Sequence, residues 1–287
     1  MSYPSANNTN INSDLFANLV TQSQFAAYET SIARQLVTVF DAPLNTGLNL
    51  QVPVWSSVSA QLIADEAAAS ARNTTSTSKT ITLKEHVVYH QITDQLRDSA
   101  YSNVMATLGD QSGRAIAESM DTQVFSTFSD FTTDLGSTST VLTANLLMQA
   151  AATLRGRKLT GPFFAVVHPG SAYNLKKNLT VGTQFSGATN VGQLSALGNS
   201  ILDSFYIGSI AGINVFESAL VSTTGSASVN GVFAMPAVGH AQRGTIEMNT
   251  LYLPANRATD VVLKAVAGAS VLQPLFGVKI TALNTIA

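Results

Sequence analysis

Apolar residues recur at helical spacing over the whole of Asp94–Phe128, the longest amphipathic stretch of the chain. Tyr101, Val104, Met105, Leu108, Ala115, Ile116, Met120, Val124 and Phe128 fall at i, i+3, i+4 intervals, so one stripe of a helix meets a core and the other face stays polar. Thr93 or Asp94 can cap its start, because a short side-chain oxygen satisfies an otherwise orphan backbone N–H. Gly109 and Gly113 each weaken a helix by about 1 kcal/mol relative to Ala, so a break is expected near Leu108–Ser112.

Upstream, Met1 to about Ser13 is polar and reads as an arm that orders only against something else. Helical spacing begins at Asp14 and is expected to last through Val39, until the Asp41-Ala42-Pro43 step pushes the backbone out of the α region. Leu48, Leu50, Val52 and Val54 then alternate with the period of two of a strand over Leu48–Val58, and Pro53 favours an edge or exposed strand. Ala64–Lys79 is small and polar, and Thr80–Thr93 resumes as a strand with Ile81, Leu83 and Val87. Two extended segments joined by a polar tip, with no core of their own, make a ribbon that is marginal in water. Such a ribbon needs a neighbour to lie on, and another subunit is the expected one.

Downstream, Thr143–Arg157 is an amphipathic helix with Thr143 as its N-cap and Leu146, Leu147, Ala150 and Leu154 as its stripe. Gly161-Pro162 breaks it, Phe163–Val167 is a buried strand, and Ser171–Leu179 is a helix, giving the layered order helix, strand, helix. Thr180–Ser200 and Ser222–Gly231 read as flexible connections. Strand character marks Ile207–Phe216, Phe233–Val238, Thr245–Leu253, Thr259–Leu272 and Gly277–Leu283.

Composition narrows the class. Among 287 residues only 11% are charged against 45% hydrophobic, well below the roughly 25% charged share usual for soluble domains. A weakly charged surface promotes association, which points to extensive subunit contact. The net charge of −2, with scattered Lys and Arg, lacks the footprint of a dedicated nucleic-acid binder. The absence of cysteine excludes disulfides, thiolate metal sites and cysteine catalysis. The start has neither a basic segment followed by an apolar one nor, anywhere later, an apolar run near the ~18–20 residues of a membrane helix, so a soluble cytosolic product without membrane partners is expected.

Candidate chemistry is sparse, with no phosphate-binding glycine loop and no nucleophile elbow, since the Gly208–Gly212 run reads GSIAG. His86 and His90 stand four apart, but strand geometry separates them by about 13 Å and favours packing over metal binding. His168 ends a strand and could serve a hydrolase built on one of the many serines, although capping or turning is the better reading. Arg155, Arg157 and Lys158, with Lys176 and Lys177, could touch phosphates, yet read best as a solvated helix end. Asp65 and Glu66 look like solvated or intersubunit charges rather than an acid–base pair. No catalytic, cofactor or metal site, and no cofactor, is therefore expected.

The order of these segments resembles the major capsid proteins of tailed bacteriophages with the Hong Kong 97-like fold. The polar arm, the excursion Leu48–Thr93 and the run QITDQLRDSAYSNVMATLGDQSGRAIAESMD, Asp121 included, are similar to that family's N-arm, E-loop and spine helix. GPFFAVVHPGSAYNLKK is similar to its A-domain strand and helix, IGSIAGINVFES to its "G-x-I-A-G-I-x-V-x-x-S" segment, and Gly277–Leu283 to its closing strand. The resemblance covers nearly the whole chain through the order and spacing of motifs that are individually unspecific.

That resemblance implies an α+β fold with an N-terminal arm and short helix over 1–45, an extended E-loop over 46–93, a P-domain with spine helix over 94–140 and 237–270, and an A-domain over 141–236 and 271–287. It implies a structural protein, not an enzyme, that forms hexamers and pentamers of an icosahedral shell around double-stranded DNA, in the virion after synthesis in the host cytoplasm. The short arm lacks the acidic helical extension of some members, so a separate scaffolding protein is expected, beside a portal and a decoration or cement protein. Lys79 and Lys84 lie in the excursion, and the sequence shows no Asn partner from which a covalent cross-link could be predicted. A cellular encapsulin-type shell shares the fold, and a Ser/His hydrolase is the alternative from another class.

Overall fold

The computed structural model describes residues 31–44, 47–63, 65, 68–99, 104–180 and 206–286. The arm Met1–Ser13, most of the helix expected from Asp14, Glu66, Tyr101, and the connection after Thr180 lie outside the described residues. In chain order the elements are α1 (Ala33–Leu36), β1 (Thr38–Asp41), β2 (Asn49–Trp55), β3 (Ser76–Thr82), β4 (Lys84–Thr93), α2 (Asp94–Ser99), α3 (Val104–Ser126), β5 (Thr133–Gly136), α4 (Ala144–Gly156), β6 (Phe163–Val167), α5 (Pro169–Thr180), β7 (Tyr206–Ile210), β8 (Ile213–Glu217), β9 (Thr223–Thr224), β10 (Ala227–Ala234), β11 (Val238–Leu253), β12 (Ala258–Val271) and β13 (Gly277–Leu283).

Three sheets form. One is four-stranded, in the order β1-β11-β12-β4, with β1 parallel to β11 and the other pairs antiparallel. The second follows the order β5-β13-β10-β6-β8-β7, with β9 attached to β10. The third is the two-stranded ribbon β2-β3.

Helix α3 lies on the four-stranded sheet, where Ile116 and Met120 pack against Ile246, Val261, Leu263, Ala265 and Ala267. Its buried positions 109, 112, 113, 116, 117, 120, 121, 124 and 125 keep the helical period throughout. The helix runs unbroken through Gly109 and Gly113, so the expected break near Leu108–Ser112 does not occur. Both glycines are buried four residues apart on the packed face, where burial of the following apolar turns offsets their low propensity. Ala115, counted in the stripe from sequence, is instead exposed.

The second sheet is covered on one face by α4 and α5. Alternation along β6 sends Phe163, Ala165 and Val167 to those helices and Val166 to the opposite side, which is why the run reads as continuously apolar. That opposite side receives the C-terminal end of α3. Phe125, Phe128, Phe131 and Phe233 form the junction, with Phe128 and Phe233 ring centroids 5.3 Å apart and Phe128 and Phe131 5.8 Å apart. Thus α3 is the element common to both sheets' cores.

Four expectations change. Val39 belongs to a strand rather than a helix, because Thr38, Val39 and Phe40 find a parallel partner in β11. The Thr80–Thr93 strand is split at buried Leu83: Ser76–Thr82 pairs with β2, whereas Lys84–Thr93 pairs with β12. Nor does the ribbon lack a core, since fully buried Ile81 packs with Leu83, Ala241 and Leu272, and Leu50, Val52 and Val54 border them. The Ser222–Gly231 connection contains most of β10, whose buried Ser228 and Asn230 satisfy each other and the backbone of β13. Thr133–Gly136 pairs with β13 in the second sheet.

Candidate functional site

The ribbon β2-β3 forms a sheet of its own. Its base is fastened to the four-stranded sheet so closely that a Cβ on Gly268 would lie 2.3 Å from the Thr82 carbonyl oxygen. Its far end leaves Trp55, Val58, Leu62 and Ile63 exposed. Polar bonds shape that end, with Ser56 N–H donating to Thr75 O at 2.9 Å and Gln61 Nε2 to Ser70 O at 3.0 Å. The tip is therefore less uniformly polar than Ala64–Lys79 read from sequence, because its apolar residues precede that stretch. Exposed apolar groups clustered at the end of a projecting ribbon favour burial against another surface. Lys79 sits within β3 opposite Val52, Lys84 opens β4, and Asp65 is exposed.

His86 and His90 face α3 from β4. His86 Nδ1 is 2.7 Å from Ser119 Oγ and its Nε2 3.2 Å from Gln123 Oε1, while His90 Nε2 is 2.8 Å from Ser112 Oγ. They clip helix to sheet, which realises the packing reading within one subunit. Burial lowers the pKa of His86, with its hydrogen bonds to Gln123 Oε1 and to the Ala267 backbone opposing the shift. Among the described residues no group of His, Asp and Glu has the arrangement to hold a metal ion.

Asp121, on the same helix, is 4% exposed. Its carboxylate accepts from Ser31 Oγ at 2.7 Å, Ile32 N–H at 2.9 Å and Ala33 N–H at 3.4 Å. It thereby ties the N-terminal segment to α3. Burial raises its pKa against the lowering effect of those three bonds.

His168 acts as a turn residue. Its ring Nδ1 accepts from Gly170 N–H at 3.2 Å, its carbonyl accepts from Ala172 N–H at 2.8 Å, and its own N–H donates to Asn230 Oδ1 at 2.8 Å. The nearby Ser171 hydroxyl is engaged with Ser228 Oγ at 2.8 Å and Leu283 O at 3.1 Å. Nothing in that geometry prepares a nucleophile for a base.

The basic group is dispersed and not merely solvated. Arg155 donates to Ala211 O at 2.9 Å, Arg157 reaches Leu275 O and Thr133 Oγ1, and Lys176 pairs with Glu217 at 2.9 Å. The guanidinium groups thus tie the end of α4 to β7-β8 and to the turn before β13. Lys158 takes a left-handed conformation at φ 61° where that helix ends. Sequence patterns single out neither the tying roles of Asp121 and Arg157 nor His240, because each partner is distant along the chain.

A profile of the family described as Phage capsid protein matches residues 74–280. No curated protein matches. Similar solved structures include the capsid of cyanophage P-SCSP1u, at 18% identity and TM-score 0.64 over 87% of each chain. The capsid of Ralstonia phage GP4 gives 9% identity and TM-score 0.68 over 86% of this chain and 87% of that one. A virus-like particle from Pyrococcus furiosus gives 13% identity and TM-score 0.58 over 92% of this chain and 98% of that one. The α+β arrangement is the Hong Kong 97-like fold, as the resemblance implied. The chain belongs to the phage capsid protein family.

Proposed function

We propose that this major capsid protein assembles into hexamers and pentamers of an icosahedral shell enclosing double-stranded DNA, and that its ribbon is the principal arm between subunits. The family match over residues 74–280 carries the reading. The exposed apolar end of the ribbon and the low charge of the chain support it, because large repeated interfaces stabilise through area.

In this reading residues 1–45 form the N-terminal arm and 46–93 the E-loop excursion, with only its 49–82 part paired as a ribbon. Residues 94–140 and 237–270 form the P-domain and 141–236 and 271–287 the A-domain, with β5 reaching across between them. Hexamers and pentamers gather around the A-domains. Partners are further copies of the chain, a separate scaffolding protein, a portal, and a decoration or cement protein. Contact with packaged DNA is sequence-independent and weak, given few basic residues. The subunit is made in the host cytoplasm and resides in the virion shell.

A cellular compartment built on the same fold is the second reading, favoured only by the likeness to the virus-like particle, and differs in holding protein cargo. Negative-stain microscopy with light scattering on purified protein tests assembly, and nuclease-protected content tests cargo. Closed particles are expected from the purified chain, and particles recovered from phage-producing cells should protect double-stranded DNA. A monomer that persists at high concentration refutes the shell, and particles filled with protein refute the DNA assignment.

A further inference from the structure

Beyond Ala267 one edge of β12 is left open. Strand β4 makes its last pair there, Lys84 opposite Ala267, and Thr82 just before it crosses over Gly268, whereas β12 runs on to Val271 with β11 as its partner. Leu272 N–H donates to Ala237 O, two positions past the pair Ser270–Gly239. Because peptide groups alternate from side to side along a strand, Ser270 turns its N–H and C=O to β11 and Ala269 turns them the other way. Among the described residues no strand pairs with β12 on that side after Ala267.

The open edge borders a cleft of about 430 Å³, lined by Ala269, by Thr80 and Thr82 of the ribbon base, by Gln123 near the end of α3, and by Lys84 and Asp130. A pocket of this size that holds a small molecule is mostly apolar. This one sets hydroxyls, an amide and two opposite charges around a strand edge, which suits an extended backbone. Lys84 and Asp130 are exposed, and neither is in an ion pair among the described residues.

The far end of the same ribbon carries a segment that fits. Ser70 is held by Gln61 through bonds of 3.0 and 3.3 Å, and Thr75 by Ser56 through bonds of 2.9 and 3.1 Å. Between them Ala71, Arg72, Asn73 and Thr74 are exposed and lie in no strand. Four extended residues cover about 13 Å, as do the four of β12 from Gly268 to Val271. Arg72 offers Asp130 a counter-charge, and Asp65, exposed on the same tip, offers one to Lys84.

We infer that residues 71–74 of one subunit add as a short strand to β12 of the next, seated in this cleft with Arg72 against Asp130. Plug and slot lie at opposite ends of one ribbon, so the contact is head-to-tail, the kind that closes rings of like subunits. Main-chain bonds supply affinity, and the charges fix the register. The inference rests on the shell reading and names the surface that receives the ribbon.

Exchanging the charges in the full chain tests it. Arg72→Asp and Asp130→Arg should each leave the circular dichroism of the subunit unchanged and raise the concentration for half-assembly about tenfold by light scattering, because like charges then meet in every contact. Both reversals together should return it to within about threefold of wild type. The chain has no cysteine, so Asn73→Cys with Ser270→Cys gives a second readout. A short bismaleimide added to those particles should link subunits into multimers on a denaturing gel, whereas either single variant stays monomeric. If a reversal does not fold, the linkage decides alone. Single reversals that assemble like wild type, a double reversal without recovery, or particles that yield no linked multimers overturn the inference while the shell reading stands, and leave the cleft to the chain's own residues 1–30 or to a scaffolding protein. A wild-type chain that forms no particles removes the shell reading and the inference with it.

Discussion

Replacing Asp121 probes the tie between the spine helix and the N-terminal segment. Asp121→Ala removes the acceptor used by Ser31 Oγ, Ile32 N–H and Ala33 N–H. A buried donor left unpaired costs about 1–3 kcal/mol, and two backbone donors are stranded here. Part of that loss is returned, because burial already outweighs the three bonds in setting the Asp121 pKa, so the charge is held at a desolvation cost. The net expectation is a loss of about 2–3 kcal/mol, or about 3–5 °C in Tm for a chain of this size. Asp121→Asn keeps an acceptor and should lose about half as much. Urea unfolding followed by circular dichroism reads both, and a Ser31→Ala double-mutant cycle should give a coupling of about 0.5–1.5 kcal/mol. The pH dependence has its own sign: the folded pKa lies above the unfolded 3.8, so this group adds stability as pH falls through the folded value, and Asp121→Asn abolishes that gain. An Asp121→Ala chain within about 0.5 kcal/mol of wild type would refute the reasoning.

Two further perturbations follow from the geometry. Excising residues 57–74 and closing the ribbon with a two-residue Asn-Gly turn should leave a folded subunit that forms no shells, and normal particles by microscopy would remove the tip from assembly; the cut stops there because Ser76–Lys79 pairs with β2. A Cβ at Gly277 would stand 2.3 Å from the Phe131 ring and one at Gly231 2.6 Å from the Phe128 ring. Gly277→Ala and Gly231→Ala should therefore each destabilise by about 1–3 kcal/mol in chemical denaturation, and unchanged midpoints would mean the rings are not held against these strands.

Local pattern sufficed wherever an element's own residues specify it. Phe163–Val167 and Gly277–Leu283 have the bounds expected from their apolar runs and turn residues. Thr143 accepts from Leu146 N–H as an N-cap, and Thr93 accepts from Leu96 N–H at the start of α2. Pro53 lies in a strand with only one partner, where its missing N–H costs nothing. Local pattern failed where two structures share one period. Ser76–Thr82 and Lys84–Thr93 alternate alike, and only the burial of Leu83 against Ala241 and Leu272 divides them between two sheets. Val39 carries apolar neighbours that suit a helix, but an open edge on β11 recruits it as a strand.

For the site the division is sharper. Composition pointed to a weakly charged chain that associates, and the order of motifs carried the resemblance to phage capsid proteins, because burial period, caps and turn residues act over a few positions and need no fold to be read. Tertiary structure alone decided that Asp121 holds Ser31–Ala33, that His86 and His90 clip the spine helix to its sheet, and that His240 faces Arg34 across a cavity. Each of those pairings joins residues tens to hundreds of positions apart, and its energy depends on removal from water. A sequence names the groups that can pair, whereas only the folded chain establishes which of them are brought together and kept dry.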